Sequence, residues 1–174
     1  MPAIARANYN KATTVRIPEV QKWIEQSHLV REQTAKKDSN GNSDFAIIVS
    51  GESDMVVREV LSNLDLFPDM LSIAATYPLP KDAITQFSAR VNGKKILVIE
   101  DGDRFLEEKI RLMGTDVIGK GEDSTITDST PDMVLAFLSE HTDIQYQKPE
   151  NSQSVQPVMR PPSICPGCPY TAFA

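Results

Sequence analysis

A chain of 174 residues with 18 Lys and Arg against 24 Asp and Glu has a net charge of −6, which leaves no electrostatic footprint for a nucleic-acid backbone or an anionic membrane surface. The length suits one domain with tails. The start MPAIARANYN has no apolar signal run, and nowhere do about 18 apolar residues follow one another as a spanning helix requires. Two cysteines are too few to frame a secreted disulfide scaffold, so the expectation is a soluble cytoplasmic protein with a core of Ile, Val, Leu and Met.

Between Pro18 and about Lys36, Val20, Trp23, Ile24 and, less regularly, Leu29 and Val30 fall on one helical stripe, and Pro18 suits a first helical turn. KKDSNGNSD, Lys36 to Asp44, has turn and linker composition, and a domain is expected to start after it. FAIIVS, Phe45 to Ser50, is short, continuously apolar and bounded by turn formers, the pattern of a strand buried on both faces. Past Gly51, Met55, Val56, Val60, Leu61 and Leu64 recur at helical spacing, with Ser50 or Ser53 placed to cap the helix.

The unit repeats. Leu71 to Tyr77 is a second strand candidate, followed by the bend PLP and a helix over Lys81 to Val91. Ile96 to Ile99 is a third, with Asp103 placed to cap a helix RFLEEKIRLM that stops at Gly114. A short strand is expected at Thr115 to Ile118, and Thr130-Pro131-Asp132 opens a last helix that runs to about Glu140. Alternating strands and helices predict an α/β fold, a three-layer open and mostly parallel sheet over residues 44–141. Residues 1–43 form an N-terminal linker and helix, and 142–174 a proline-rich linker, since six of the twelve prolines lie between Pro149 and Pro169.

Ligands of open parallel sheets sit at the carboxyl ends of the strands, which singles out Ser50-Gly51-Glu52, Thr76-Tyr77-Pro78 and Glu100-Asp101-Gly102-Asp103. The acids of IEDGD could suit Mg²⁺, but shaping the turn and capping the next helix is the favoured reading of Asp101 and Asp103. Their place after the third strand does not match a phosphate-accepting receiver, and SGESDM has one glycine where a dinucleotide turn needs three. His28 and His141 are far apart and read as surface residues. Met55, Met70, Met113 and Met133 read as core fillers.

The chain ends in RPPSICPGCPYTAFA, where Cys165 and Cys168 could form a metal half-site, two plain thiols or, less in keeping with the prolines, a redox pair. Two thiolates supply half of a tetrahedral zinc site or iron–sulfur cluster. One self-contained reading is a metal-binding adaptor in which two chains each lend both cysteines to one site; another is a small regulatory α/β domain with a ligand at its strand ends.

RPPSICPGCPYTAFA also resembles the opening of the thiamine-diphosphate domain in α subunits of indolepyruvate ferredoxin oxidoreductases, within the thiamine-diphosphate-dependent 2-oxoacid:ferredoxin oxidoreductases. IIVSGESDMVVREVL, IAATYPLPKDAI, ILVIEDGDRFLEEKIR and PAIARANY resemble further stretches of that family in the same order. The resemblance implies that Asp44 to about Gly119 is similar to the C-terminal domain of transketolase. It also implies a parent reaction of oxidative decarboxylation of an aryl-pyruvate to an acyl-coenzyme A, with electrons passed to ferredoxin. Thiamine diphosphate, Mg²⁺ and 4Fe-4S clusters serve the complete parent, none of them held by this chain alone, and its partners are the remaining domains and a β subunit. Cys165 and Cys168 match the family's C-P-G-C metal pair, whereas Tyr170 replaces the family's histidine. The pyrimidine-side glutamate, the G-D-G…N signature and the cysteine-rich cluster region have no counterpart, so the chain by itself is expected to be a non-catalytic central domain.

Overall fold

A computed structural model of the protein describes residues 2–36, 43–121 and 128–147. The chain opens with helix α1 (Ala3–Lys11), a π-helical segment (Ala12–Arg16) and α2 (Ile17–Gln26), whose second residue is Pro18. Strand β1 (Val30–Gln33) follows, then β2 (Phe45–Ser50), α3 (Ser53–Asn63), β3 (Asp69–Ile73), α4 (Lys81–Arg90), β4 (Lys95–Ile99), α5 (Phe105–Leu112) and α6 (Pro131–His141). The strands form one open sheet in the order β1-β3-β2-β4. β3, β2 and β4 run parallel, while β1 pairs antiparallel with β3, from Val30 opposite Ile73 to Gln33 opposite Met70.

β2 lies between two parallel neighbours, and all six of its residues are buried. Successive side chains of a strand point to opposite faces, so FAIIVS supplies two cores at once. Ala46 and Ile48 join Leu71, Ile73, Ile96 and Val98 beneath Ile84 and Phe87 of α4 and Leu106 and Ile110 of α5. Phe45, Ile47 and Val49 join Met70, Leu97 and Ile99 beneath Val57, Val60 and Leu61 of α3 and Val134 and Leu138 of α6. Helices on both faces explain why strands with no polar alternation are tolerated.

The helix expected over residues 18–36 stops ten residues early. Ser27 turns extended, its hydroxyl donating to the Ile24 carbonyl at 2.8 Å and accepting from the Leu29 amide at 3.2 Å. Val30 therefore belongs to the sheet edge and not to the helix stripe. Short and rich in charge, VREQ is the kind of strand that discourages edge pairing with other chains. The second strand starts and ends earlier than its apolar run suggested, at Asp69 and Ile73. The expected strand at Thr115–Ile118 is reduced to one bridge, in which the Ile118 carbonyl accepts from the Val98 amide at 2.7 Å and its amide donates to the Ile96 carbonyl at 2.9 Å.

Neither Ser50 nor Ser53 caps α3, which starts after Glu52 without a side-chain cap bond. Gly51 makes the tight β2–α3 turn possible through a positive φ of 61°. Of the methionines read as core, Met70 is buried and Met113 packs against the core, but Met55 and Met133, each in the first turn of its helix, are exposed. His28 is exposed as expected, whereas His141 is half-buried, its ring edge-on to Phe137 at 4.7 Å.

At the amino ends of the parallel strands, Asp69 is nearly fully buried and fully engaged. Its Oδ1 accepts from Arg90 at 2.6 Å and from the Ala35 amide at 3.0 Å, and its Oδ2 pairs with Lys94 at 2.8 Å. Arg90 also pairs with Glu32, so one carboxylate ties β1, β3, α4 and the turn before β4 together. Burial by itself would raise the Asp69 pKa, but the bonds from Arg90, Lys94 and the amide hold it down at about 2. Among the described residues, no helix is long and apolar enough to cross a membrane.

Candidate functional site

After β2 the chain crosses α3 to reach β3 on one side, and after β3 it crosses α4 to reach β4 on the other. The carboxyl ends of β2 and β4 therefore flank a topological switch point, the usual crevice for ligands in such sheets. Two of the three stretches singled out from the sequence, Ser50–Glu52 and Glu100–Asp103, meet there. The third, Thr76–Pro78, follows β3 on the far side of β2.

Polar groups at the switch point bond to one another. Glu100, 4% exposed, directs both carboxylate oxygens at the start of α5, accepting from the Leu106 amide at 2.7 Å and the Glu107 amide at 2.9 Å. It is this side chain that satisfies the helix N-terminus. Asp103, the residue expected to cap, accepts from its neighbour's amide, Arg104, at 2.9 Å, and α5 starts without a cap bond from the residue before it. Asp101 accepts from the Ser129 amide at 2.6 Å, so it fastens the start of α6 and not α5. The Ser53 and Ser129 hydroxyls lie 2.8 Å apart, and Lys120 Nζ donates to the Gly102 carbonyl at 2.8 Å.

These environments push the two acids in opposite directions. Burial raises the Glu100 pKa, aided by the nearby Glu107 carboxylate and opposed by the two amides and Lys120. Burial also acts to raise Asp101, but the Ser129 amide and hydroxyl, the Ser53 hydroxyl and Lys120 outweigh it and leave the carboxyl below its usual range. Beside them lies a cavity of about 190 Å³ between Val98, Ile99, Met133, Val134 and Phe137, with Glu100, Lys120 and Ser129 along one side.

Glu107 is fully buried, 2.8 Å from an Arg111 guanidinium nitrogen. The pair is close, yet its alignment gives neither Glu107 oxygen a hydrogen bond. Arg111 also donates to the Val117 carbonyl at 3.1 Å, and the Glu107 carboxylate packs so tightly on Gly119 that any Cβ there would collide with it.

A diphosphate-bound Mg²⁺ needs convergent, available oxygens. In the turn after β4 the oxygens diverge: Glu100 faces α5, Asp101 faces Ser129 and Asp103 faces its own turn. This acidic turn does not fit a magnesium–diphosphate group. Among the described residues no group of three His, Cys, Asp or Glu side chains is arranged to hold a metal. Cys165 and Cys168, the metal ligands expected from the sequence, lie outside the described residues.

Tyr77 is 70% exposed, while Pro78, Leu79 and Pro80 behind it are buried. Sequence reasoning missed Glu100 as a cap, although an acid closing an apolar strand five residues ahead of a helix was a usable signal. It also missed the pairing of Ser53, read as a helix cap, with Ser129 76 residues on, for which no local signal exists.

No family model matches the chain. Indolepyruvate oxidoreductase subunit IorA of Methanothermobacter marburgensis is 29% identical over 144 residues, covering 78% of this chain and 23% of that protein. IorA of Archaeoglobus fulgidus is 29% identical over 144 residues, covering 76% and 22%, and IorA of Methanothermobacter thermautotrophicus is 29% identical over 182, covering 99% and 28%. Among solved structures, the 2-oxoglutarate:ferredoxin oxidoreductase of Magnetococcus marinus matches 83% of this chain and 24% of its own, with 20% identity and a TM-score of 0.49. The chain spans about a quarter of the length of the IorA relatives. It is a distant homologue of the indolepyruvate oxidoreductase subunit IorA.

Proposed function

We propose that this chain acts as a structural domain of a 2-oxoacid:ferredoxin oxidoreductase α subunit, of the kind that resembles the C-terminal domain of transketolase, and that it does no chemistry alone. The parent reaction is oxidative decarboxylation of an aryl-pyruvate to an acyl-coenzyme A with reduction of ferredoxin. Thiamine diphosphate, Mg²⁺ and 4Fe-4S clusters are held by the rest of the parent and its β subunit. Cys165 and Cys168 contribute a thiolate pair to a metal site completed by ligands from elsewhere. The work of the domain is to hold its neighbours in register, and the cofactor carries the reaction.

The observation that carries this reading is the inward commitment of the carboxyl edge. Where an open sheet offers its ligand site, Glu100 and Asp101 are spent on α5 and α6. The alignment with IorA proteins over three-quarters or more of the chain supplies the family context. Calorimetry of the chain with thiamine diphosphate and Mg²⁺ should give no binding heat, and micromolar binding would contradict the reading. For the contact with neighbouring domains we assign the turn at Thr76–Pro80, because Tyr77 projects an exposed ring from a buried, proline-stiffened base. Tyr77→Ala in a complete IorA-type enzyme should lower activity or assembly, whereas wild-type behaviour removes that assignment.

A further inference from the structure

The last described residues turn back on α6. That helix starts at the carboxyl edge, where the Ser129 amide donates to Asp101, and ends at the amino edge, where Lys95 Nζ donates to the His141 carbonyl at 3.0 Å. The Thr142 hydroxyl then donates to the Leu138 carbonyl at 2.6 Å and accepts from the Ile144 amide at 3.2 Å, and the chain reverses. Beyond it Asp143, Gln145 and Gln147 are exposed while Ile144 and Tyr146 are half-buried, the alternation of an extended strap lying on a body. Ile144 packs against the core shared by α3 and α6, and the Tyr146 hydroxyl donates to Asp132, in the first turn of α6, at 2.9 Å. Four residues of strap cover about 13 Å and the ten helical residues from Asp132 to Thr142 about 15 Å. The strap therefore retraces the helix and returns the chain to the carboxyl edge.

It arrives beside the cavity between β4 and α6. Val98, Ile99, Met133, Val134 and Phe137 wall that space of about 190 Å³, and Met133, the neighbour of Asp132, is 41% exposed. Apolar walls that face no protein atom forfeit dispersion contacts, and Glu100 on the polar side already turns both oxygens to α5, so the space suits apolar side chains. The sequence that follows supplies them. KPENSQS, residues 148–154, is polar apart from its proline, and VQPVM, residues 155–159, then brings Val155, Val158 and Met159 together. Both stretches lie outside the described residues. The eight residues from Gln147 to Val155 reach up to about 26 Å, which is ample for a cavity at the strap's end.

We propose that the cavity between β4 and α6 is the dock of the chain's own tail, filled by apolar side chains from Val155, Val158 and Met159. A space of about 150 Å³ holds a benzene-sized group, so a cavity of this size takes about one or two of them. Docking has a consequence for the cysteine pair. Cys165 follows Met159 by six residues, so the pair stays within about 20 Å of the docked segment and is presented at the carboxyl edge of the sheet, not at the amino edge. The docking does not rest on the catalytic family of the parent.

The test is methyl NMR of the full chain labelled at Met and Val methyls, with a second sample that mixes labelled and unlabelled chains. Nuclear Overhauser cross-peaks are expected between the Met133 methyl and those of Val155, Val158 or Met159, and within one chain. The double variant Val158→Asp/Met159→Asp should abolish them and shift the Met133 and Val134 methyls, with the amide signals of Asp69 and Lys94 at the amino edge unchanged. Cross-peaks from Met133 to residues 122–127 in place of the tail overturn the proposal, as do cross-peaks that form only between chains. So does a Met133 methyl that meets only the cavity's own walls, or one indifferent to the double variant.

Discussion

The two rims of the sheet each bury a carboxylate, and they treat it in opposite ways. At the amino rim Asp69 is met by Arg90 and Lys94, and its pKa falls from 3.8 to about 2. At the carboxyl rim Glu100 is as deeply buried but is met chiefly by two backbone amides, and its pKa rises. Burial alone does not decide which form of an acid the fold prefers. Full cationic partners overcome desolvation at one rim, and the partial charges of a helix N-terminus do not at the other. The amino rim is therefore an ionic clamp, and the carboxyl rim is a helix cap whose charge the fold tolerates at a cost.

Breaking the clamp should produce the largest effect. Asp69→Asn leaves Arg90 and Lys94 without their buried counter-charge and should cost about 3 kcal/mol in urea unfolding. The clamp also has a pH signature. A depressed carboxylate contributes stability that is present above its unfolded pKa and lost as pH falls through the folded one, so about 2 kcal/mol should disappear as pH drops from about 4 towards 2. The wild-type and Asp69→Asn unfolding curves should converge there; parallel curves would mean that the clamp is not what the Asp69 carboxylate provides.

At the other rim Glu100→Ala should cost about 1 to 2 kcal/mol, the size of a lost helix cap. The sign of its pH dependence is reversed. The folded pKa of Glu100 is raised, so its favourable contribution is complete below the unfolded pKa and declines as pH rises through the folded one. Wild type should thus gain on Glu100→Gln as the solution is acidified, the opposite of the comparison at Asp69. Denaturation of the two pairs across the same pH range reads both signs in one experiment.

Gly119→Ala forces a methyl onto the buried Glu107 carboxylate and should cost about 1 to 3 kcal/mol by overpacking. Tyr77→Ala lies outside both rims and should leave the isolated chain within about 0.5 kcal/mol of wild type. A loss well above that would make Tyr77 part of this fold, and not a contact held out to another domain.

What the sequence disclosed follows from how locally each feature is encoded. β2 was legible residue for residue, because six apolar residues between turn formers have few other fates. α6 was equally clear: the Thr130 hydroxyl accepts from the Met133 amide at 3.3 Å, three residues on, a bond written in the order Thr-Pro-Asp. β1 was not legible, since VREQ has neither length nor alternation and becomes a strand only because β3 offers an open edge. The cap of α5 was misassigned to Asp103 because a local rule looks one or two residues ahead of the helix, while Glu100 reaches back from the end of β4. The bond between the Ser53 and Ser129 hydroxyls needed the tertiary fold outright.

The carboxyl rim is occupied by the protein's own structure, and carboxyl-carbon NMR titration of the labelled chain, with and without thiamine diphosphate and Mg²⁺, tests that most directly. The expected result is Asp69 titrating at about 2, Asp101 below and Glu100 above their ordinary ranges, and no change when the cofactor and metal are added. Glu100 and Asp101 titrating as ordinary exposed acids, or moving when cofactor and metal are supplied, would contradict it.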